Sequence, residues 1–163
     1  MKYVLIGKIV NTHGLKGEVR ILSSFKYKDR VFKSNMNIYI GKDKINEVIN
    51  SYRHHKVFEM ITMNGYNDIN EILKYKGEYV FVNKEDIILN ENEYLDEDII
   101  GLSVYVQDKC LGKVNRIDNH GINLVLVIKN DEKNYLVPYN FDIIESIDLE
   151  NKVMKIKNIV GLF

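Results

Sequence analysis

The sequence predicts an all-β protein built from two small domains, with one short helix. Short runs of β-branched and other apolar residues recur along the 163 residues, separated by turn-like segments. Many short strands at this spacing are typical of β-sandwiches and small β-barrels. Residues 85–100 contain seven acidic residues and no basic residue, which indicates a solvated linker between two strand sets. Each half is near the lower size limit for an independent hydrophobic core.

The first strand set lies in the N-terminal half. Val19 and Ile21 alternate with the charged residues Glu18 and Arg20, so one face of this strand is suited to burial. A glycine-containing connection joins it to a preceding apolar strand, as in a β-hairpin. The predicted strands of this half are residues 3–10, 18–22, 37–40, 45–49, 56–62 and 78–82.

One segment of the chain has convincing helical spacing. Ile69, Ile72 and Leu73 recur at i, i+3 and i+4, which places them on one face of a helix. An Asn-Asp pair before them offers an N-cap, and a glycine follows the last turn. The pattern therefore predicts a short helix within residues 67–75.

The second strand set follows the acidic segment. It begins with an alternating apolar run and continues through segments that are separated by turn residues rich in Asn, Asp and Glu. The predicted strands are residues 102–106, 111–117, 123–128, 134–138 and 152–157.

The composition excludes several classes of protein. A hydrophobic content of 45% with 28% charged residues is that of a folded globular protein. The apolar runs are far shorter than the ~20 residues of a transmembrane helix, so no membrane association is expected. Cys110 is the single cysteine, which rules out an internal disulfide and predicts a reducing, cytoplasmic location.

The zero net charge conceals an uneven distribution. Residues 1–60 carry twelve Lys and Arg against five Asp and Glu, a balance of +7. A basic region of this kind favours a polyanionic partner such as RNA, whose phosphates bind Lys and Arg in a salt-dependent manner. An ordinary solvated surface explains the same charge count equally well.

The segment NTHGLKGEVR, residues 11–20, concentrates the candidate functional groups. Gly14 and Gly17 match no phosphate-binding loop, and a strand follows them where such loops require a helix. Their predicted role is structural, because glycine reaches the positive φ that hairpin turns often need. Lys16 and Arg20 would then project from a rigid β-scaffold toward a polyanion.

Catalytic and metal-binding alternatives have weaker support. His13 and Glu18 could act as the acid–base pair of a hydrolase or transferase. His54 and His55 could join His13 around a metal, but adjacent residues in a strand point to opposite faces. We therefore expect no catalytic residue, metal ion or cofactor.

The opening segment IGKIVNTHGLKGEVRI closely resembles the first signature of a known family, and the similarity continues in order to the C-terminus. That family is the RimM family of ribosome maturation factors, which are bacterial rRNA-processing proteins. The segments that carry it are residues 6–21, 68–77, 98–104, 111–114, 136–138, 147–152 and 160–163.

The resemblance implies a particular fold and activity. The expected domains are a six-stranded β-barrel related to a domain of translation factors at residues 1–84, an acidic linker at 85–97, and a PRC-type β-barrel at 98–163. The protein is expected to be a monomeric, non-catalytic assembly factor. It would bind the head of the immature 30S subunit through ribosomal protein uS19 and nearby 16S rRNA, and promote late head maturation and rRNA processing. A general single-strand RNA-binding barrel, with aromatic residues on an open sheet face, is the alternative.

Site residues follow from the resemblance with some departures. Lys16 and Arg20 are expected to contact rRNA. The family often has two consecutive aromatic residues before the second domain, and they contribute to protein binding. Here Tyr94 matches the first and Leu95 replaces the second, and both are expected to contribute to ribosomal-protein binding. Val160 stands where proline is usual.

Overall fold

The computed structural model describes residues 1–14 and 16–159. The chain divides into two compact units, Met1–Leu89 and a second unit that begins at Asn90. This division falls within the acidic segment. The C-terminal signature at residues 160–163, including the departure at Val160, lies outside the described residues.

The first unit is a closed six-stranded barrel. Its strands follow the order β1-β2-β5-β4-β3-β6, and the ring closes because β6 pairs with β1. All of the pairings are antiparallel. The strands are β1 (Tyr3–His13), β2 (Glu18–Leu22), β3 (Asn37–Ile40), β4 (Ile45–His55), β5 (Phe58–Met63) and β6 (Tyr79–Asn83).

Alternation along the strands fills the barrel interior. In β1, Val4 and Ile6 are buried while Tyr3 and Leu5 are exposed. The same two-residue period buries alternate residues of β2, β3 and β6, as expected for a small barrel whose lumen is filled by side chains. The inward residues of these four strands are Val4, Ile6, Ile9, Val19, Ile21, Ile38, Ile40, Val80 and Val82.

The predicted helix is present and short. Helix α1 spans Ile69–Ile72 and a 3₁₀ turn continues it over Leu73–Tyr75. Asp68 is the N-cap, since its side chain accepts a hydrogen bond from the Asn70 N–H at 2.8 Å. Ile72 is the residue of α1 that anchors it in the core.

The second unit contains a six-stranded sheet of order β10-β9-β8-β7-β12-β11. Strands β12 and β7 pair in parallel, while the other pairs are antiparallel. A one-turn helix, α2 (Asp96–Ile99), precedes the sheet and was not predicted. The strands are β7 (Ser103–Val106), β8 (Lys109–His120), β9 (Asn123–Lys129), β10 (Asn134–Pro138), β11 (Ile144–Asp148) and β12 (Val153–Ile156).

The second unit has its own hydrophobic core. Ile99 of α2 packs into it, which explains why a single helical turn is stable there. The other buried members are Leu102, Val104, Val106, Leu111, Val114, Leu126, Ile128, Val137, Ile144, Met154 and Ile156. Across the described residues of both units, no helix has the length and apolar character needed to span a bilayer.

Candidate functional site

The two glycines of the NTHGLKGEVR segment lie in the turn between β1 and β2. Gly14 and Gly17 both have positive φ, at +70° and +86°. At Gly17 space is also limited, because a Cβ would lie 3.3 Å from the backbone oxygen of Tyr66. His13 and Glu18, which flank the turn, pair with each other across β1 and β2. Lys16 is exposed in this turn.

Arg20 is held in place by two neighbours. Its Nη2 donates a hydrogen bond to His13 Nδ1 at 2.7 Å, and its guanidinium carbon lies 5.4 Å from the centre of the Phe58 ring. Since guanidinium only donates hydrogen bonds, His13 Nδ1 is the acceptor in this contact. The Arg20 side chain is therefore half-buried and oriented, unlike the exposed Lys16.

Glu18 is bound by an arginine from a distant strand. Arg53 of β4 donates from Nε to Glu18 Oε2 at 2.9 Å and from Nη2 to Oε1 at 2.7 Å. This two-bond geometry lowers the pKa of Glu18, chiefly through the Arg53 hydrogen bond and against the opposing effect of burial. His13 and Glu18, the alternative acid–base pair, thus each form hydrogen bonds with an arginine.

The ion pair predicts an acid sensitivity. A carboxyl group whose pKa is lowered by folding adds stability above its unfolded pKa, and this stability is lost as the pH falls through the folded pKa. We expect the urea midpoint to fall as the pH drops below 4.5, the ordinary pKa of a glutamate carboxyl, and then through the lower pKa of folded Glu18. The fall should be smaller in Arg53→Gln. The difference is expected to be small because the pair lies at the surface. If the urea midpoints of the wild type and Arg53→Gln fall equally with pH, the Arg53–Glu18 pair is not the source of the acid sensitivity.

Five residues form what we call the basic cluster: His13, Arg20, Arg53, His55 and Lys56. The pKa of His55 is lowered, first by its partial burial and then by its electrostatic interactions with Arg53, Lys56, His13 and Arg20. The His13 and His55 rings lie 6.0 Å apart. These groups therefore share one region of the barrel surface, and Glu18 is an acid that interacts with His13, His55 and Arg53 there.

Adjacent histidines in β4 have different surroundings. His54 Nδ1 lies 3.0 Å from both carboxylate oxygens of Glu59, whereas His55 belongs to the basic cluster. Glu59 is 2% exposed and also accepts a hydrogen bond from Tyr52 Oη at 2.7 Å. Burial and this bond to Glu59 raise the pKa of Tyr52 to about 12. Tyr52 and His54 thus contact Glu59, whereas Arg53 and His55 belong to the basic cluster. This alternation follows the two-residue period of a strand.

Arg53 and Glu59 were missed by reasoning from the sequence. Each lies in an apolar or mixed strand segment with no motif around it. Only the register between β4 and β5 brings Arg53 opposite Met60 and His54 opposite Glu59. In the described part of the chain, no group of three or more His, Cys, Asp and Glu side chains is arranged to hold a metal ion.

The two candidate protein-binding residues of the second unit, Tyr94 and Leu95, differ in their exposure. The half-buried Tyr94 ring stacks on Phe141, with centroids 6.1 Å apart and an interplanar angle of 20°. Phe141 also contacts Tyr139 at 6.2 Å. Leu95 is only 4% exposed and occupies the N-cap position of α2 without a side-chain capping hydrogen bond.

Both units match models of known protein families. The RimM N-terminal domain matches residues 4–87, and the RimM PRC barrel domain matches residues 96–162. Ribosome maturation factor RimM of Staphylococcus haemolyticus is 42% identical, covering 98% of this chain and 98% of the relative. Ribosome maturation factor RimM of Bacillus mycoides is 36% identical, covering 99% and 98% respectively. The solution structure of the N-terminal domain of RimM from Thermus thermophilus is 17% identical over 55% of this chain and 98% of that chain, with a TM-score of 0.47.

Proposed function

The chain belongs to the RimM family of ribosome maturation factors, and from this premise we propose that it is a non-catalytic, cytoplasmic assembly factor for the small ribosomal subunit. It binds the head of the 30S precursor as a monomer, contacts ribosomal protein uS19 and nearby 16S rRNA, and promotes late head maturation and rRNA processing. The observation that carries this proposal is the similarity of both domains, over 98% of the chain, to proteins named as ribosome maturation factors.

The N-terminal barrel supplies the rRNA contact in this proposal. The basic cluster and the exposed Lys16 supply basic side chains on the barrel surface that can neutralise backbone phosphates. Arg20 is oriented by His13 and Phe58, so it loses little conformational freedom on binding.

The second domain supplies the protein contact. Tyr94 combines a partly accessible ring with a fixed orientation against Phe141, and rigid aromatic side chains of this kind dominate many protein interfaces. Leu95 follows Tyr94 at the start of α2, and because its side chain is buried, its part in this proposal is indirect support of the protein contact.

The mechanism is a shift of conformational populations. A factor that binds the productive arrangement of the subunit head more tightly than other arrangements increases the share of productive particles. It must also bind the mature particle more weakly, or it would not dissociate. The engagement of His13 by Arg20 and of Glu18 by Arg53 supports a binding role in place of acid–base chemistry.

Gradient sedimentation tests the proposal. We expect tagged full-length protein to co-migrate with free small subunits and to be absent from complete ribosomes in cell extract. The proposal is wrong if the protein stays at the top of the gradient in cells that accumulate small-subunit precursors. A comparison with naked RNA tests the alternative function, a general single-strand RNA-binding barrel. Such a protein would bind short RNA as tightly as the precursor subunit, whereas an assembly factor should prefer the precursor.

The rRNA contact makes a separate prediction. Lys16→Ala and Arg20→Ala should each weaken binding to purified precursor subunits severalfold, and each should lower the slope of log affinity against log salt by about 1. Lys109→Ala is the matched control, because this lysine is exposed in the second unit. An unchanged salt slope in both N-terminal variants would remove these residues from the interface.

A further inference from the structure

The outer surface of the first barrel carries an aromatic face, which we define as Tyr3, Leu5, Tyr39, Tyr79 and Phe81. These residues alternate with inward-facing core residues on β1, β3 and β6, so they point away from the barrel interior. Neither the family signatures nor the basic cluster includes them.

The strand register brings these side chains side by side. Tyr39 lies opposite Phe81, and Phe81 lies opposite Leu5, so three apolar residues form one row across β3, β6 and β1. Tyr3 contacts two members of the face edge-on, with ring centroids 5.2 Å from Tyr39 and 6.4 Å from Phe81. The rings therefore fix one another's orientation.

The face is accessible to a partner. Tyr3 is 37% exposed, Tyr79 50% and Leu5 51%, although they belong to strands whose alternate residues are almost fully buried. Single exposed apolar residues are common, but a contiguous group of aromatic rings on one sheet indicates an interaction surface.

Two lysines identify the kind of partner. Lys44 Nζ lies 4.2 Å from the centre of the Phe81 ring and 5.6 Å from that of Tyr3, and Lys8 Nζ lies 5.3 Å from the centre of Tyr79. Both ammonium groups therefore lie over ring faces, and their long flexible side chains can move aside for a ligand. Nucleic-acid bases stack on such rings while their phosphates bind the neighbouring cations. An apolar protein surface would match the rings, but it would take both ammonium groups out of water without offering them an anion.

We propose that the aromatic face binds the unpaired bases of a single-stranded RNA segment. This inference rests on the proposed function, since the precursor subunit is the source of that RNA, but it uses residues distinct from the basic cluster. The basic cluster contacts the phosphate backbone, whereas the aromatic face accepts unstacked bases and so selects unpaired over paired RNA.

The test is a fluorescence anisotropy titration of the full-length protein with a labelled oligouridine of about twelve nucleotides. Tyr3→Leu and Phe81→Leu keep apolar side chains but remove the ring faces. Each should weaken binding about fivefold or more, and a base-paired duplex of the same length should bind the wild type more weakly than the single strand. Tyr105→Leu is the matched control, because it exchanges a half-buried strand tyrosine of the second unit.

The outcomes separate the inference from the proposed function. Unchanged oligouridine affinity in both ring variants overturns the inference, even where the wild type still co-migrates with small subunits. Ring variants that bind oligouridine normally but lose the precursor subunit would assign the face to a ribosomal protein and also overturn it. If circular dichroism shows that the ring variants are unfolded, Lys44→Gln serves as the test in their place. Its affinity for oligouridine should be about threefold weaker, and the slope of log affinity against log salt should be lower. An unchanged affinity would count against the proposal.

Discussion

Gly112→Ala should destabilise the second domain by about 3 kcal/mol or more. Gly112 lies in β8 with φ at +134°, and a Cβ at this position would lie 2.2 Å from the backbone oxygen of Lys129 and 2.6 Å from its carbonyl carbon. Both atoms belong to the backbone at the end of β9. A side-chain rotation therefore cannot remove the steric clash, and strands β8 and β9 would have to move apart. Urea unfolding followed by far-UV circular dichroism measures the effect.

Gly101→Ala provides the control for Gly112→Ala. Gly101 also has a positive φ, +97°, but nothing lies within 4 Å of its would-be Cβ. Alanine there should cost only the ~1–2 kcal/mol of the left-handed conformation. If Gly112→Ala unfolds at the same urea concentration as Gly101→Ala, the close approach to Lys129 is not what requires glycine.

Tyr94→Ala is expected to weaken the affinity for ribosomal protein uS19 by about 2 kcal/mol, roughly thirtyfold. The substitution removes a ring that Phe141 holds in a fixed orientation, and the loss of such an anchor usually dominates an interface. Isothermal titration calorimetry with purified uS19 measures the effect. Tyr94→Phe retains the stacked ring and should bind within a few-fold of the wild type.

Leu95→Ala distinguishes a partner contact from support of the fold. Because Leu95 is buried, its truncation should lower the free energy of unfolding by ~2–5 kcal/mol. Below the unfolding transition, its effect on uS19 affinity should be smaller than that of Tyr94→Ala. A stable Leu95→Ala protein that loses uS19 binding as strongly as Tyr94→Ala would place Leu95 in the interface instead.

Reasoning from the sequence predicted the fold class well. The all-β class is confirmed, with two six-stranded sheets and matches to the RimM N-terminal and PRC barrel domains. The short helix predicted within residues 67–75 is present as α1. The domain limits 1–84, 85–97 and 98–163 stay a prediction, as do the roles of Lys16, Arg20 and Tyr94.

Helix α2 escaped prediction for a physical reason. Its sequence is almost entirely acidic, and a single turn contains too few residues to show a repeating apolar pattern. Isolated helices of this length are unstable in water, so α2 depends on the packing of Ile99 into the second core. That packing is a tertiary property and leaves no local signal.

The sequence by itself determined the local features: strand periodicity, the glycine turn between β1 and β2, the capped α1, and the family. These depend on neighbours within a few residues. The tertiary structure alone decided that Arg53 binds Glu18, that Leu95 is buried beside a half-exposed Tyr94, and that the aromatic face spans three strands. Barrel closure joins strands far apart in the chain, such as β1 and β6, and only their register fixes which side chains meet.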